Sequence, residues 1–467
     1  MINIKALIEK IKGKKVAVLG VGVNNVPLIR FLIAKGANVT AFDRKPASDL
    51  GVVHNELKNL GVHFSMGEHY LKRLNHKIIF KTPGIPLTVP EIAHAIESGA
   101  IVTNEIEVFM NLCPCPIIGV TGSDGKTTTS TIIAKILEAG GSKVWLGGNI
   151  GKPLIGDLDK ILPNDKAVLE LSSFQLQTCR VSPHIAVVTN ISPNHLDYHK
   201  DMQEYIEAKK NIFIHQGEND VLVVNGDNEI TNGFNGNGRL RKFSVKSEEP
   251  RAQRADNEGI CYIENGEIRF ADNSGDFPII NTSDILLPGM HNIENYMAAI
   301  AAVVDIAPIK AIREVAQTFR GVEHRIEFVK EVRKIAFYND SIATSPTRTL
   351  AALNSFNKKV ILIAGGYDKN IPFDDFGEDV AEHVKRLYLL GTTAKKIEAA
   401  VKAANGYDGS SLEINICENL SEAVRSAWVR ADEGDIILFS PACASFDAYR
   451  NFEERGKHFK RIVEGVF

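Results

Sequence analysis

The chain has no long apolar run, almost no net charge, few cysteines and only two tryptophans. No stretch approaches the ~18–20 apolar residues that a membrane-crossing helix needs, so no such helix and no membrane partner are expected. Lys and Arg number 54 and Asp and Glu 57, a net charge of −3 with histidines neutral. That balance argues against a general nucleic-acid binder, which needs a broad basic surface to neutralise phosphates. The six cysteines, at 113, 115, 179, 261, 417 and 443, include no paired CxxC spacing and so no zinc framework. Cys113 and Cys115 form C-P-C; positions this close rarely meet disulfide geometry, so free buried thiols are expected. The opening MINIKALIEKIKGKK carries lysines throughout, with no apolar h-region and no small-residue cleavage site. It reads as a short amphipathic helix, and the cytoplasm is the expected compartment.

What is present is an ordinary globular mixture, 44% hydrophobic and 24% charged over 467 residues, enough for roughly three domains. Three segments each open with a βα pattern. In the first, KKVAVLG (14–20) is a β-rich run ending in glycine, followed by a helix over 26–35 and a strand at NVTAFD (38–43). Further strands are expected at 77–81 and 100–102, and CPCP (113–116) reads as a linker. The second segment starts with PIIGV (116–120), a Gly/Ser/Asp loop and the helical TTTSTIIAKILEAG. Strands are expected at 166–171, 185–190 and 221–225, short antiparallel strands and loops over 231–285, and a helix over 292–304. The third segment offers strands at 358–366, 385–391 and 435–442 between helices near 393–404 and 419–432. Three α/β domains follow, spanning 1–112, 113–320 and 321–467.

The strongest chemical signal is Thr121-Gly122-Ser123-Asp124-Gly125-Lys126-Thr127-Thr128, between a strand and a helix. Glycines let the backbone curl so that several N–H groups face a phosphate, and the following helix aims its positive end at the same spot. Lys126 reaches the β and γ phosphates, and a hydroxyl of Thr127 or Thr128 suits Mg²⁺. The strict P-loop spacing fails, because Gly119 lies five residues before Gly125; a shorter T-G-x-x-G-K-T form remains. Glu170 ends a strand, and His195 and Asp197 follow another in NISPNHLDYH. Carboxylates at such strand ends face the crevice where ligands bind. A histidine is an atypical magnesium ligand and needs oxygen partners beside it. Near the start, Gly20 and Gly22 resemble a dinucleotide fingerprint, with Asp43 closing the next strand where a ribose-binding acid sits. Asn25 replaces the third glycine, so a nucleotide-shaped ligand other than NAD, or a purely structural turn, fits at least as well. Thr82-Pro83-Gly84 forms a rigid turn after another strand.

Together, TGSDGKTTT, GGNIG (147–151), ELSSFQL (170–176), NHLDYH (194–199), GMHNIEN (289–295) and FRGVEHR (319–325) resemble the Mur ligase family, in family order along essentially the whole chain. SPACASFDAYRNFEERGKHF (440–459) and TPGIPL are most similar to the branch that adds D-glutamate, and the D-N-P-R motif of the diaminopimelate- or lysine-adding branch is absent. The resemblance implies a Rossmann-like N-terminal domain, a central P-loop ATPase-like domain with a mostly parallel sheet, and a C-terminal Rossmann-like α/β domain. It implies an ATP-dependent amide ligase acting on UDP-MurNAc-L-Ala and D-glutamate in peptidoglycan precursor synthesis, as a monomer with two Mg²⁺ ions.

Residue by residue, the resemblance puts Gly122 to Thr128, Asn292, Asn295, Arg325 and Asp340 at ATP. Thr127, Glu170, His195 and Lys209 would hold metal, with Lys209 carbamylated and thereby turned from a cation into an oxygen ligand; Lys210 lies beside it. Lys126, His195 and Lys209 are the expected catalytic residues. Gly22, Val23, Asp43 with Arg44 or Lys45, the Thr82–Pro83–Gly84 turn, Asn149 and His195 would meet the UDP substrate. Thr344, Lys369, Ser445 and Phe446, with Phe452 beside them, would hold D-glutamate. One position departs: NDSIAT carries Ile342 where some D-glutamate-adding enzymes have N-D-S-K-A-T. The residues do not separate D- from L-glutamate, nor say whether His195 or a carboxylate takes the proton from the amine. Rival readings are an L-alanine-adding or folate-extending relative, a P-loop kinase, and a nucleotide-gated binding protein. Phosphate release that needs both an acid and an amine separates the ligases from the last two.

Overall fold

Each βα segment builds a sheet of its own. The computed structural model describes residues 4–194, 198–246, 258–369 and 371–466. In the first sheet, β1 (Lys15–Leu19), β2 (Asn38–Asp43), β3 (His63–Met66), β4 (Ile78–Lys81) and β5 (Ile101–Thr103) run parallel in the order β3-β2-β1-β4-β5. Val16, Ala17, Val18 and Leu19 are all fully buried, as expected of a parallel strand covered on both faces. The order reverses at β1, and a crevice opens at the carboxyl ends of β1 and β4.

The second sheet has nine strands: β6 (Ile117–Thr121), β7 (Val144–Gly148), β8 (Lys166–Glu170), β9 (Ile185–Val188), β10 (Val221–Asn225), β11 (Arg239–Ser244), β12 (Glu258–Glu264), β13 (Glu267–Asp272) and β14 (Gly275–Asn281). Their order is β14-β13-β12-β11-β10-β9-β6-β8-β7. The expectation of antiparallel strands over 231–285 needs correction. Only β12–β13–β14 pair that way, whereas β11 pairs parallel with both β10 and β12. The sequence RLRKFS hides this, because its Arg241 looks like a surface residue. Arg241 is buried, with its guanidinium over the Phe270 ring, bonded to the Ala301 carbonyl at 2.8 Å and paired with Asp305. The last turn of Met290–Val303 and Asp305 just beyond it thus satisfy and neutralise a charge that would otherwise bar the strand from the sheet.

The third sheet comprises β15 (Glu327–Val332), β16 (Ile335–Asn339), β17 (Val360–Gly365), β18 (Val384–Leu390), β19 (Glu413–Ile416) and β20 (Ile436–Phe439), in the order β15-β16-β20-β17-β18-β19. All pairs are parallel except the β15–β16 hairpin. That hairpin carries no turn signal. Its two-residue turn is Arg333–Lys334, at φ +50° and +59°, where Asn-Gly is usual. The cysteines are all free, and Cys113 and Cys115 bring their sulfurs within 3.5 Å. Among the described residues no helix is long and apolar enough to cross a membrane.

These three α/β domains form two compact units: Met1–Asp284 with Ile293–Gln317, and Ile285–Asn292 with Thr318–Phe467. The boundary expected at 112/113 is therefore not a break in packing. One apolar core runs from Ile4 through Val16 and Phe109 to Leu169 and Leu222. Asn104 stitches the two sheets. Its side chain caps the helix Glu105–Leu112 by accepting from Glu107 N–H, and donates to the Gln175 carbonyl at 2.7 Å and Thr178 Oγ1 at 2.8 Å. Glu107, wholly buried, accepts from Thr103 Oγ1 at 2.6 Å and from the Arg180 N–H at 2.7 Å. Asn104→Ala removes a cap and strands two buried polar groups, so a loss of about 2–3 kcal/mol is expected. Urea unfolding checks this; a loss under about 0.5 kcal/mol would contradict the stitch, since that is the range of unremarkable surface changes.

Candidate active site

The P-loop lies between β6 and the helix Lys126–Ala139. Its shape is fixed by glycine and by its neighbours. Gly122 sits at φ +151° and Gly125 at φ +77°; a Cβ on Gly122 would stand 1.9 Å from Thr189 Oγ1, and one on Gly125 2.3 Å from Asn295 Oδ1. Asn190 accepts from both Ser123 N–H and Asp124 N–H at 2.9 Å, and Thr189 Oγ1 donates to the Asp124 carbonyl at 2.6 Å. Ser123 Oγ donates to the Ser192 carbonyl and shares a 2.9 Å hydrogen bond with Tyr205 OH. The helix begins at Lys126, so its first-turn N–H groups have no intrahelical partner and face an incoming anion.

Two lysines converge on this loop. Lys126 Nζ donates to the carbonyls of Gly122 at 2.9 Å and Ser123 at 2.8 Å. Lys209 Nζ, from the helix Met202–Lys210, donates to the same Gly122 carbonyl at 2.7 Å and to Thr121 Oγ1 at 3.3 Å. Lys209 is 2% exposed, and burial, then the charge of Lys126, hold its amine well below the ordinary lysine range. Its neighbour Lys210 instead pairs with Glu207 at 2.8 Å on the surface. Opposite, Glu170 at the end of β8 accepts from Thr127 Oγ1 at 2.6 Å and from Asn149 Nδ2 at 2.7 Å. The Thr127 and Glu170 oxygens are the hard donors that Mg²⁺ takes, so the donor set fits that ion. Among the described residues no three His, Cys, Asp or Glu side chains gather around one point. His195 and Asp197 lie outside the described residues.

At the first sheet, the loop after β1 is held by Asp43. Asp43 Oδ2 accepts from Val21 N–H at 2.7 Å and Oδ1 from Lys45 N–H at 2.8 Å, so this carboxylate organises two loops. Asn25, in place of the third fingerprint glycine, donates to the Leu19 and Gly20 carbonyls at 3.0 and 2.9 Å and closes the turn with its side chain. Val23 and Arg44 are exposed at this edge. The turn Thr82–Pro83–Gly84 is fastened from two sides. Buried Lys81 Nζ donates to the Thr82 and Pro83 carbonyls, and Tyr198 OH lies 2.9 Å from the Pro83 carbonyl and 3.1 Å from that of Ile85. Burial pushes the Lys81 amine down to about 8.

In the C-terminal unit, candidate residues follow the carboxyl ends of three adjacent strands, β16, β20 and β17. Asp340 is buried; Ser440 Oγ donates to it at 2.6 Å and Ile326 N–H at 3.2 Å, and burial pushes its carboxyl up to about 7. Lys369 Nζ lies 3.5 Å from the Thr344 carbonyl. Tyr367 N–H bonds to the Ala444 carbonyl, and its ring meets exposed Phe446 edge-on at 6.0 Å, beside buried Ser445. Phe452 packs edge-on to His324, and its carbonyl accepts from Ser341 Oγ at 2.8 Å. Buried Arg455 binds these loops together, donating to the carbonyls of Ser341, Cys443 and Ala444 at 2.8–3.0 Å.

Comparison with known proteins agrees domain by domain. Family models match at residues 14–104 (Mur ligase MurD-like, N-terminal domain), 120–303 (Mur ligase middle domain) and 324–443 (Mur ligase, glutamate ligase domain). The chain is 50% identical over 463 residues to the UDP-N-acetylmuramoylalanine–D-glutamate ligase of Acetivibrio thermocellus, and 48% identical over 459 residues to that of Clostridium tetani, with 98% of each chain covered in both cases. The chain belongs to the Mur ligase family. Its fold is also that of solved relatives: UDP-N-acetylmuramate-alanine ligase MurC from Thermotoga maritima superposes with a TM-score of 0.55 at 18% identity, over 97% of this chain and 100% of the other.

Within this Mur ligase, the first compact unit brings Gly122–Thr128, Glu170, Asn149, Lys209 and Asn295 together, and the second brings Asp340, Thr344 and Lys369 together. Asn292, counted with the second unit, donates to the Pro288 carbonyl at 2.6 Å. The residues that sequence reasoning missed are organisers: Thr189, Asn190 and Tyr205 at the P-loop, Lys81 and Tyr198 at the Thr82–Gly84 turn, and Arg455 in the C-terminal unit. Their common signal is a polar side chain inside a motif already noticed, or next to one. A pH test follows from Lys209. Its folded-state pKa lies below the unfolded value near 10.4. The native state therefore binds fewer protons between those two values, and stability rises with pH across that window. In carbonate-free buffer, Lys209→Met should flatten this rise in the denaturation midpoint and raise the midpoint at pH 7; an unchanged slope would contradict the buried-amine assignment.

Proposed function

We propose that this Mur ligase joins D-glutamate to the terminal carboxyl of UDP-N-acetylmuramoyl-L-alanine, driven by ATP. The reading is carried by near-half identity, along 98% of both chains, to ligases named for that reaction. The substrate carboxylate attacks the γ-phosphorus and ADP leaves, giving an acyl phosphate. The amine of D-glutamate then attacks the acyl carbon, and inorganic phosphate leaves from the tetrahedral adduct. A carboxylate and a triphosphate repel, so positive charge has to be assembled first. Lys126 and the first turn of the helix Lys126–Ala139 supply it at the phosphates. Thr127 and Glu170 would hold one Mg²⁺, and Glu170, His195 and a carbamylated Lys209 a second; bound there, the ions neutralise phosphate charge and make phosphorus more electrophilic.

Carbamylation needs a neutral amine, and burial supplies one at Lys209. Its neutral nitrogen adds to carbon dioxide, a proton leaves, and an anionic oxygen ligand replaces the amine. Asp43, Arg44, Val23 and the Thr82–Gly84 turn take the uridine end, with Asn149 and His195 toward the sugar. Thr344, Lys369, Ser445, Phe446 and Phe452 take D-glutamate. Arg325, Asp340, Asn292 and Asn295 take the nucleotide. His195 or a carboxylate accepts the proton from the amine. ATP and a UDP-linked precursor place the reaction in the cytoplasm, with the enzyme acting as a monomer.

Purified protein with Mg²⁺, ATP and UDP-MurNAc-L-Ala should release phosphate and form an amide with D-glutamate and not with L-glutamate or L-alanine. Release without an amine, or a persistent phosphorylated product, would overturn the reading. Lys126→Ala should lower turnover roughly a thousandfold or more; wild-type rates would remove it from the mechanism. Lys209→Ala should be inactive and regain part of its rate with added formate. An unmodified lysine in the mass spectrum together with no rescue would discard the carbamate.

A further inference from the structure

The loop 340–344 gathers more positive charge than it neutralises. Arg348, in the first turn of the helix Pro346–Leu353, donates from Nη1 to the Ile342 carbonyl at 3.2 Å. Lys369 approaches the Thr344 carbonyl two residues on. Arg325 is close enough to act on Arg348 as a like charge, and both act on Asp340. Among the described residues neither arginine has an ion-pair partner at salt-bridge distance, and the carboxylate that offsets them, Asp340, already has both oxygens occupied by Ser440 Oγ and Ile326 N–H. Burial pushes that carboxyl up to about 7, so it cancels less than one full charge near neutrality. Two guanidinium groups thus face one carboxyl, Arg348 from an exposed position, and the Lys369 ammonium stands at the end of the same loop. They are an oxyanion site when an anion arrives, because the planar fork of arginine matches carboxylate and phosphate oxygens.

Resting on the ligase reading, we propose that Arg348 is an anion-binding residue of this reaction, contacting the oxyanion that comes to the loop 340–344 beside Arg325 if that anion is the nucleotide's phosphate, or beside Lys369 if it is the carboxylate of D-glutamate. The shared chemistry is a tetrahedral phosphate or a planar carboxylate, from the nucleotide or from D-glutamate. The argument also accounts for Ile342. Arg348 delivers a cation to the carbonyl of the very residue that lacks one, from the next helix instead of from the loop.

The test is steady-state kinetics of the full-length enzyme. Arg348→Ala should raise the KM of either ATP or D-glutamate roughly tenfold to a hundredfold, the range of a lost charged hydrogen bond, and leave the KM of UDP-MurNAc-L-Ala unchanged. A rise for ATP assigns the anion to phosphate, and a rise for D-glutamate assigns it to carboxylate. Arg348→Lys should retain part of the affinity. Adding Ile342→Lys to Arg348→Ala should recover at least half of the loss on a logarithmic scale. Unchanged KM values, with or without a lower melting temperature, would make Arg348 a mere prop for the loop and overturn the proposal; so would no recovery from Ile342→Lys. Calorimetric titration with ADP and with D-glutamate reads the same contact without turnover. An inactive wild-type enzyme would sink the ligase reading, whereas equal binding of both ligands by wild type and Arg348→Ala would sink this one.

Discussion

Two ammonium groups lean on one oxygen. Lys126 and Lys209 both reach the Gly122 carbonyl, at 2.9 and 2.7 Å. Two unit charges this close repel by several kcal/mol in the effective dielectric of a protein. The arrangement persists only if one amine gives up its proton, is converted to an anion, or is answered by anions from outside. Burial settles which amine yields, because Lys209 is sealed beneath the loop while Lys126 stands at the helix start. The rest of the loop serves to keep that shared carbonyl in place. Gly122 can only be glycine, Asn190 pins two N–H groups, and Tyr205 and Ser123 close the underside.

The same layout recurs in each domain. Candidate residues sit past the carboxyl ends of parallel strands, where loops meet over an open crevice. In the first sheet these are the ends of β1, β2 and β4; in the second, β6, β8, β7 and β9; in the third, β16, β20 and β17. At each place a polar side chain shapes the loops while others are left for ligand. Asp43, Asn190 and Arg455 are the respective shapers. Phosphoryl transfer demands little covalent help from the protein and much positioning of charge, which is what rigid loops on buried strands provide.

The P-loop was legible because its glycines, lysine and threonines sit at fixed spacing between an apolar strand run and a helix. The strands β1, β4, β10, β17 and β20 were legible because they are buried on both faces along most of their length and read as apolar runs. β11 was not, since Arg241 hides its charge only through Asp305 and Ala301, some sixty residues along the chain. The β15–β16 hairpin was not, because Arg333 and Lys334 make its turn without glycine or asparagine. Asp43 read as a ribose ligand, and the spacing did not show that its carboxylate also accepts from the Val21 and Lys45 N–H groups and so shapes two loops. Arg455 lies inside a motif already noticed, but its role was not legible, as it joins the Cys443 and Ala444 carbonyls to the hydroxyl and carbonyl of Ser341, 114 residues away. Spacing reveals local chemistry; contacts of long sequence separation need the folded chain.

The central claim is that carboxyl oxygen is transferred to phosphorus before nitrogen attacks carbon. Oxygen-18 placed in both oxygens of the alanyl carboxylate of UDP-MurNAc-L-Ala follows that oxygen directly. The account predicts that each inorganic phosphate released carries one heavy oxygen, seen as a shift in its phosphorus-31 resonance, and that the new amide keeps the other. Phosphate free of label, with the amide formed at the normal rate, would contradict it.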